Sequence, residues 1–236
     1  RKTGYLLAGV PHTFTMQISE PNGLQTLDNI TIMLCGDRID DNLGEVSYNP
    51  VTGELWTADD SMVSPLTVQT TQITSAVIEL AMMFELSWEY PWEEGQFGCK
   101  PSVSIIDEIT EVAYLNNIGE LTWVLDNSLV AVASGMSDLT PPIVETEDAH
   151  LYLRQGDEFD MAGKVFYAGS GEVFTEVPDD LQVEMTLVYG TEVITSLADV
   201  SEEGEWYSTM TLPMRAPFNP TMNVTTTVLN VPGIGT

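Results

Sequence analysis

The sequence predicts an all-β protein built from two β-sandwich domains in tandem. Three observations support this: apolar and polar residues alternate along most of the chain, turn residues separate the alternating segments, and a proline pair divides the chain. A repeat of two residues is the period of a strand with one buried face. We place a larger sandwich at residues 1–140 and a second sandwich at residues 141–236.

The clearest strand signal runs from Ala76 to Trp88. Every even position in it is apolar, whereas the odd positions include Glu79 and Glu85. Its Ala, Leu, Met and Glu residues also favour a helix, but a helix would place both glutamates on sides that apolar residues occupy. The stretch therefore predicts a long strand, whose apolar face must be covered by a second layer.

The first half contains further strands of the same kind, separated by turns rich in proline, glycine and asparagine. These runs are Tyr5 to Val10, Phe14 to Ile18, Ile30 to Leu34, a hairpin of Val46 to Tyr48 with Leu55 and Trp56, Leu66 to Val68, Val103 to Ile105, Val112 to Tyr114, and Leu121 to Leu125. We expect the last run to form a hairpin, through Asp126-Asn127-Ser128, with Leu129 to Ala133.

The best domain boundary is the small, polar segment from Gly135 to Pro142, because Pro141-Pro142 stiffens the chain into an extended linker. Beyond it, short strands separated by turns give the profile of an immunoglobulin-like sandwich. These strands are Leu151 to Leu153, Phe159 to Met161, Val165 to Tyr167, Leu181 to Tyr189, Val193 to Leu197, Trp206 to Leu212, and Val224 to Val231.

Three segments of this second half carry a family resemblance. Phe159-Asp160-Met161-Ala162-Gly163-Lys164-Val165 has a glycine after an early strand, and Leu181-Gln182-Val183-Glu184-Met185 follows it. Glu203-Gly204-Glu205-Trp206-Tyr207-Ser208 has a Gly-x-Trp turn before a strand ending in Leu212-Pro213. In these features residues 143–236 resemble the immunoglobulin-like repeats of large microbial surface proteins. The resemblance implies a stalk or adhesive module of an exported protein, without catalytic residues.

The composition excludes several classes of function. The chain has 36 acidic and 7 basic residues and a formal charge of -29. Such a charge repels nucleic acid and anionic membranes, and it attracts cations and basic partners. No apolar run approaches the length of a membrane span. The chain starts without methionine at Arg1 and ends at Thr236, and we expect both ends to be cuts in a longer polypeptide.

Two cysteines, Cys35 and Cys99, could form a single disulfide, which would suit an extracellular or cell-surface protein. The alternative is two free, buried thiols. The acidic loop that follows Cys35 is a candidate calcium site, because calcium takes six to eight oxygen ligands. Its oxygen-bearing residues are Asp37, Asp40, Asp41 and Asn42, and the alternative is that the acidic residues only keep the surface soluble.

Trp88, Tyr90 and Trp92 are spaced at two and would share one face if the long strand continued through them. Such a face could stack on sugar rings, although aromatic residues at alternate strand positions also form cores. No nucleophile-elbow sequence accompanies His12 or His150, and nothing selects one pair of carboxylates. We therefore expect a non-catalytic structural or adhesive module whose partners are neighbouring repeats or subunits. The alternative is a carbohydrate-binding module that uses these aromatics or Trp56.

Overall fold

A computed structural model describes residues 2–20, 22–35, 44–91, 99–107, 113–115, 121–138, 153, 155–189, 192–214 and 224–232. The described residues form sixteen strands and one 3-10 helix, Leu24–Thr26. Contacts between Cα atoms divide the chain into two compact units, Arg1–Asp126 and Asn127–Thr236. The predicted all-β class and the tandem arrangement of two sandwiches are confirmed.

The described residues of the first unit form ten strands in three hydrogen-bonded groups. The strands are β1 (Lys2–Leu7), β2 (Pro11–Ser19), β3 (Leu27–Met33), β4 (Glu45–Tyr48), β5 (Leu55–Thr57), β6 (Val63–Gln72), β7 (Val77–Leu86), β8 (Ser102–Asp107), β9 (Ala113–Leu115) and β10 (Leu121–Asp126). One sheet has the order β2-β7-β6 and another the order β5-β4-β3-β8-β9, while β1 pairs with β10 in parallel.

The predicted long strand is β7, at the centre of the three-stranded sheet. Its even residues, from Ile78 to Leu86, are buried and its odd residues are half-buried, as the alternation predicted. The buried side chains of β7 share one core with those of the five-stranded sheet, including Ile30, Ile32 and Val46. Two sheets packed over one core make this unit a β-sandwich.

The strand order of the first unit is that of a variable-type immunoglobulin domain. The immunoglobulin fold has seven basic strands, of which the second, fifth and fourth are neighbours in one sheet. In the variable type, two extra strands follow the third strand and extend the other sheet beside it. Here β2-β7-β6 corresponds to the first group, and β4 and β5 are the two extra strands beside β3. The sequence pattern predicted a sandwich here without identifying this order.

In the second unit, the part of the chain that the structure describes forms six strands in two antiparallel sheets. The strands are β11 (Leu129–Asp138), β12 (Glu158–Tyr167), β13 (Gln182–Tyr189), β14 (Glu192–Asp199), β15 (Glu205–Thr211) and β16 (Val224–Leu229). The sheet orders are β11-β12-β15 and β14-β13-β16, so the chain crosses between sheets as in an immunoglobulin-like sandwich. The inward residues of β12, β13 and β15 are buried.

Side-chain hydrogen bonds link the two sheets of the second unit at both sides. The hydroxyls of Ser196 on β14 and Ser208 on β15 lie 2.7 Å apart. At the opposite side, the Thr226 hydroxyl on β16 donates to the Ala131 carbonyl on β11 at 2.8 Å. The two sheets are thus held together at their edges as well as through their core.

The predicted hairpin between Leu121–Leu125 and Leu129–Ala133 is wrong. Strand β10 pairs with β1 in the first unit, and β11 pairs with β12 in the second. The two residues between β10 and β11 fit a hairpin locally, but local periodicity cannot reveal a parallel partner far away in the chain. The division between the two compact units accordingly falls after Asp126, whereas we predicted a boundary after residue 140. The predicted linker residues Pro141-Pro142 lie outside the described residues.

Candidate functional sites

Cys35 and Cys99 form a disulfide, with their Cα atoms 4.9 Å apart. Cys35 follows β3 and Cys99 precedes β8, and these two strands are neighbours in which Met33 pairs with Ser102. The bond therefore joins adjacent strands of one sheet and confirms the pairing that the sequence permitted. The chain contains no other cysteine.

Trp123 packs beside this disulfide and connects three segments. Its indole Nε1 donates to the Leu34 carbonyl at 2.6 Å, and its backbone exchanges hydrogen bonds with Cys99 at 2.8 and 2.9 Å. The ring of Tyr90 lies against it, with the ring centres 6.5 Å apart. Trp123, Tyr90 and Cys99 are all buried. This cluster therefore stabilises the sandwich and offers no surface to a ligand.

Trp88 and Tyr90 do not form the predicted aromatic face. Strand β7 ends at Leu86, so Trp88 and Tyr90 lie in a turn and lose the two-residue spacing of a strand. Tyr90 is only 4% exposed, and Trp88 is half-buried and packs against the core. Trp92 lies outside the described residues. Tyr90 cannot stack on a sugar, because its ring already packs on Trp123; Trp56, on β5, is half-buried.

The predicted calcium loop, with Asp37, Asp40, Asp41 and Asn42, lies outside the described residues. Within the described ranges there is no group of three or more His, Cys, Asp or Glu side chains that could hold a metal ion. The exposed carboxylate of Asp59 instead accepts hydrogen bonds from the hydroxyl and the backbone N–H of Ser61 at 2.6 and 3.0 Å. These bonds lower the pKa of Asp59 and fix the turn before β6.

A buried carboxylate in the second unit was not anticipated. Asp160, on β12, is 6% exposed and accepts a hydrogen bond from the Thr209 hydroxyl at 2.6 Å. Its hydrogen bond with Tyr207 raises the pKa of that phenol. Both partners lie on β15, the strand beside β12. The alternation places Asp160 on the outer face of the sheet, but it cannot show that strand neighbours will cover this carboxylate.

The glycines of the family resemblance have clear structural roles. Gly163, on β12, lies under the indole ring of Trp206: a Cβ there would meet the Val132 carbonyl and would lie 2.6 Å from Trp206 Cζ2. Gly204 has a φ of 74°, and a Cβ there would meet the Phe174 carbonyl. Gly163 thus allows Trp206, which is 2% exposed, to enter the core, and Gly204 allows the turn before β15 to approach the Phe174 backbone closely.

One open cleft of about 760 Å³ lies on the second unit, beside the turn between β14 and β15. Its lining includes Ser134, Asp199, Ser201 and Tyr207, together with an ion pair in which Lys164 Nζ lies 2.9 Å from the Glu205 carboxylate. The cleft contains one cation and three carboxylates, from Asp199, Glu203 and Glu205. This arrangement resembles neither a nucleophile–base pair nor an oxyanion site.

In the described part of the chain, no helix is long and apolar enough to cross a membrane. No family model matches the sequence, and no curated protein matches it. Among solved structures, the chain is similar to a marsupial T cell receptor, with 9% sequence identity and a TM-score of 0.32 over 96% of each chain. The strand order within each unit is the feature that makes both units immunoglobulin-like.

Proposed function

We propose that this chain is a non-catalytic structural or adhesive module of an exported cell-surface or filament protein. The observation that carries this proposal is the pairing of the first and last strands of the first unit. Strands β1 and β10 are parallel, and their ladder runs from Lys2 opposite Leu121 to Leu7 opposite Asp126.

Parallel terminal strands determine how the first unit responds to tension. A pull through Lys2 and Asp126 draws β1 and β10 in opposite directions along their own axes. All backbone hydrogen bonds between β1 and β10 are then loaded at the same time. A force perpendicular to the two strands would instead break these hydrogen bonds one after another. The backbone bond from Ala8 N–H to the Asp126 carbonyl, at 3.1 Å, extends this ladder. Such an arrangement suits a module that sits in series within a tensioned chain.

The disulfide and the charge support an exported location. Disulfides persist in oxidising compartments, and the bond between Cys35 and Cys99 lies beside Trp123. The charge of -29 keeps copies apart in solution and suits a surface that faces water and cations. The resemblance of residues 143–236 to microbial surface repeats agrees with this location, and neighbouring repeats or subunits are the partners it implies.

The location is tested with an antibody raised against the folded chain. On intact cells of the producing organism, we expect surface labelling that is lost after external protease treatment. Labelling that requires permeabilised cells would contradict an exported module.

The carbohydrate-binding alternative has its own test, which reads tryptophan emission during titration with a panel of polysaccharides. We expect no saturable change in emission, because Trp123 and Trp206 are buried, Tyr90 is covered, and Trp56 and Trp88 are half-buried and form no shared aromatic face. A saturable change with one polysaccharide would favour the carbohydrate-binding alternative over a purely structural role.

A further inference from the structure

Strand β2 is an open edge of the sheet β2-β7-β6. It pairs with β7 on one side, and no other described strand pairs with it. Its register is continuous over nine residues, Pro11–Ser19. Native sheets usually protect such an edge with a bulge, an internal proline or a charged residue. Strand β2 has no bulge, no proline after its first position, and no Asp, Glu, Lys or Arg.

The opposite edge of the same sheet, β6, is built differently. It contains Pro65, and its register with β7 shifts between Pro65 and Thr67. On its inward side, Thr70, which lies opposite the buried Leu80, and Gln72 are polar and exposed. A strand added to β6 would therefore meet a kinked edge and would bury little apolar surface.

The hydrogen bonds at the end of β2 show which of its backbone groups point outward. Just beyond the strand, the Glu20 N–H donates to the Ala76 carbonyl at 2.9 Å. Hydrogen-bonded and non-hydrogen-bonded pairs alternate along an antiparallel ladder. The N–H and C=O groups of Thr13, Thr15 and Gln17 therefore point away from β7. Among the described residues, no backbone hydrogen bond outside the strand ladders involves these three residues.

The core of the first unit is also open along β2. Phe14 and Met16 face inward and pack against the core, but both are only half-buried. The residues opposite them on β7, Met82 and Leu80, are fully buried. The exposed surface of Phe14 and Met16 therefore lies toward the free edge of β2. An additional strand there would cover these two side chains and would also pair with the outward backbone groups.

We propose that the edge of β2 binds an extended segment of another protein, which adds a strand to this sheet and alternates apolar with basic residues. Only an extended backbone can pair with outward groups that recur at every second residue of a strand. The inward positions of the added strand must be apolar, because they contact Phe14 and Met16. In this mode of binding, backbone hydrogen bonds supply affinity and alternate side chains supply specificity.

The outward positions of the added strand should be basic. On the outer face of the sheet, Gln17 Nε2 donates to the Glu79 carboxylate at 3.4 Å, so this carboxylate lies toward β2. A lysine opposite Gln17 on the added strand would lie on the same face as Glu79. The chain charge of -29 attracts a basic segment and repels a second copy of the chain. Charge complementarity therefore favours a basic segment of a different protein.

Fluorescence polarisation with a labelled nine-residue peptide, as long as β2, tests the proposal. The probe alternates valine and lysine, and the control peptide has the same composition with its valines in one block. We expect the full chain to bind the alternating peptide at least about tenfold more tightly, because only that order presents one apolar face in a strand. Equal binding of the two peptides would mean that charge alone attracts them, and it would overturn the proposal.

Thr15→Pro closes the edge of β2. Proline removes the outward N–H of Thr15 and obstructs an approaching strand, whereas the ladder with β7 does not use that N–H. Thr70→Pro is the matched control on β6. Ile73 N–H donates to the Val77 carbonyl, so by the same alternation the N–H of Thr70 also points away from β7. We expect Thr15→Pro to weaken binding of the alternating peptide at least about tenfold and Thr70→Pro to leave it unchanged. Equal effects of the two substitutions would overturn the proposal.

Hydrogen exchange of the unaltered chain needs no substitution. The alternating peptide should slow amide exchange in β2 and leave β6 unchanged, because the outward N–H groups of Thr13, Thr15 and Gln17 become donors to the added strand. Exchange in β2 that is not slowed would overturn the proposal. Dimerisation of the chain alone, abolished by Thr15→Pro, would also overturn it and would assign this edge to a second copy. None of these results bears on the exported location or the mechanical role proposed above, which have their own tests.

Discussion

Trp206 depends on the absence of a side chain at Gly163. The indole ring lies where a Cβ would project, and the Val132 carbonyl approaches the same position from β11. A methyl group there must displace either a buried ring or a backbone carbonyl, and neither can move without disturbing the core.

We therefore expect Gly163→Ala to lower the free energy of unfolding of the second unit by about 1–3 kcal/mol, the usual cost of overpacking. Gly135→Ala is the control, because nothing lies within 4 Å of a Cβ at that position on neighbouring β11. Urea unfolding followed by hydrogen exchange of peptides from the second unit measures both, because four of the five tryptophans lie in the first unit and would mask the emission of Trp206. Equal stability of the two variants would show that Gly163 is not required for the packing of Trp206.

Glu45 gives the first unit a predictable pH dependence. Partial burial at the start of β4 raises the pKa of its carboxyl above the usual value. The folded state then holds the proton more tightly than the unfolded state, so this group's contribution to stability falls as pH rises through the interval between the two pKa values.

Glu45→Gln should therefore raise the melting temperature at neutral pH, and the gain should vanish below about pH 4, where glutamate is protonated in both states. Glu54→Gln, at an exposed position, controls for the loss of one negative charge from an acidic chain. A gain that is the same at every pH, or equal for both variants, would contradict a role for burial at Glu45.

At the scale of elements, the disulfide joins β3 to β8 across a sequence separation of 64 residues. In the chain-entropy account, closing a loop of this length stabilises the folded state by about 4 kcal/mol. We expect reduction, or a Cys35→Ser and Cys99→Ser double variant, to lower the stability of the first unit by an amount of this order.

Hydrogen exchange of the full chain, resolved by peptide, measures this loss in each unit separately. Protection should fall in β3, β7 and β8, whereas protection in β12 and β13 should be unchanged, since the second unit contains no cysteine. Equal loss in both units would mean that they unfold as one body.

The strands could be predicted from the sequence far better than their partners. The alternation in β7 predicted its buried face residue by residue, and the turn at Asn49 predicted the hairpin of β4 and β5. These features depend on neighbours in the chain. The parallel pairing of β1 with β10 depends on residues at opposite ends of the first unit, so the local pattern around Leu121 favoured a hairpin that does not exist.

The candidate sites, too, could be predicted only where they depend on residues that are close together in the sequence or on the residue count. Two cysteines allowed only one disulfide, between Cys35 and Cys99, but their number left two free thiols as an alternative, and the structure shows the bond. The spacing of Trp88 and Tyr90 could not predict the end of β7 at Leu86, after which period two no longer defines a common face.

For the whole molecule, the charge of -29 predicts sensitivity to ions. Any salt should raise the melting temperature by screening self-repulsion.

Asp37, Asp40, Asp41 and Asn42 remain a predicted calcium site, and we propose that calcium bound there would stiffen the first unit. Calcium should then raise the melting temperature more than sodium chloride of equal ionic strength, because it binds the folded state.

Asp40→Ala should remove the calcium-specific part of this rise, while Asp179→Ala, at an exposed turn in the second unit, should keep it. Melting in chelator, in calcium and in matched sodium chloride makes the comparison. An equal rise of the melting temperature in both salts would show that charge screening is the whole effect and that no specific calcium site exists.

The central claim is that the chain is two sandwiches in series, of which the first resists tension through parallel terminal strands. In the second unit the described first and last strands, β11 and β16, lie in different sheets, and Thr226 bonds to Ala131 between them. We therefore expect the second unit to unfold at lower force than the first.

Single-molecule stretching of the chain through its two ends tests this claim most directly. We expect two unfolding events, of which the stronger belongs to the first unit and releases a length shortened by the disulfide. Reduction should lengthen that event alone by roughly 220 Å, from the separation of 64 residues at about 3.5 Å each. A single event, or an added length in the weaker event, would contradict the account.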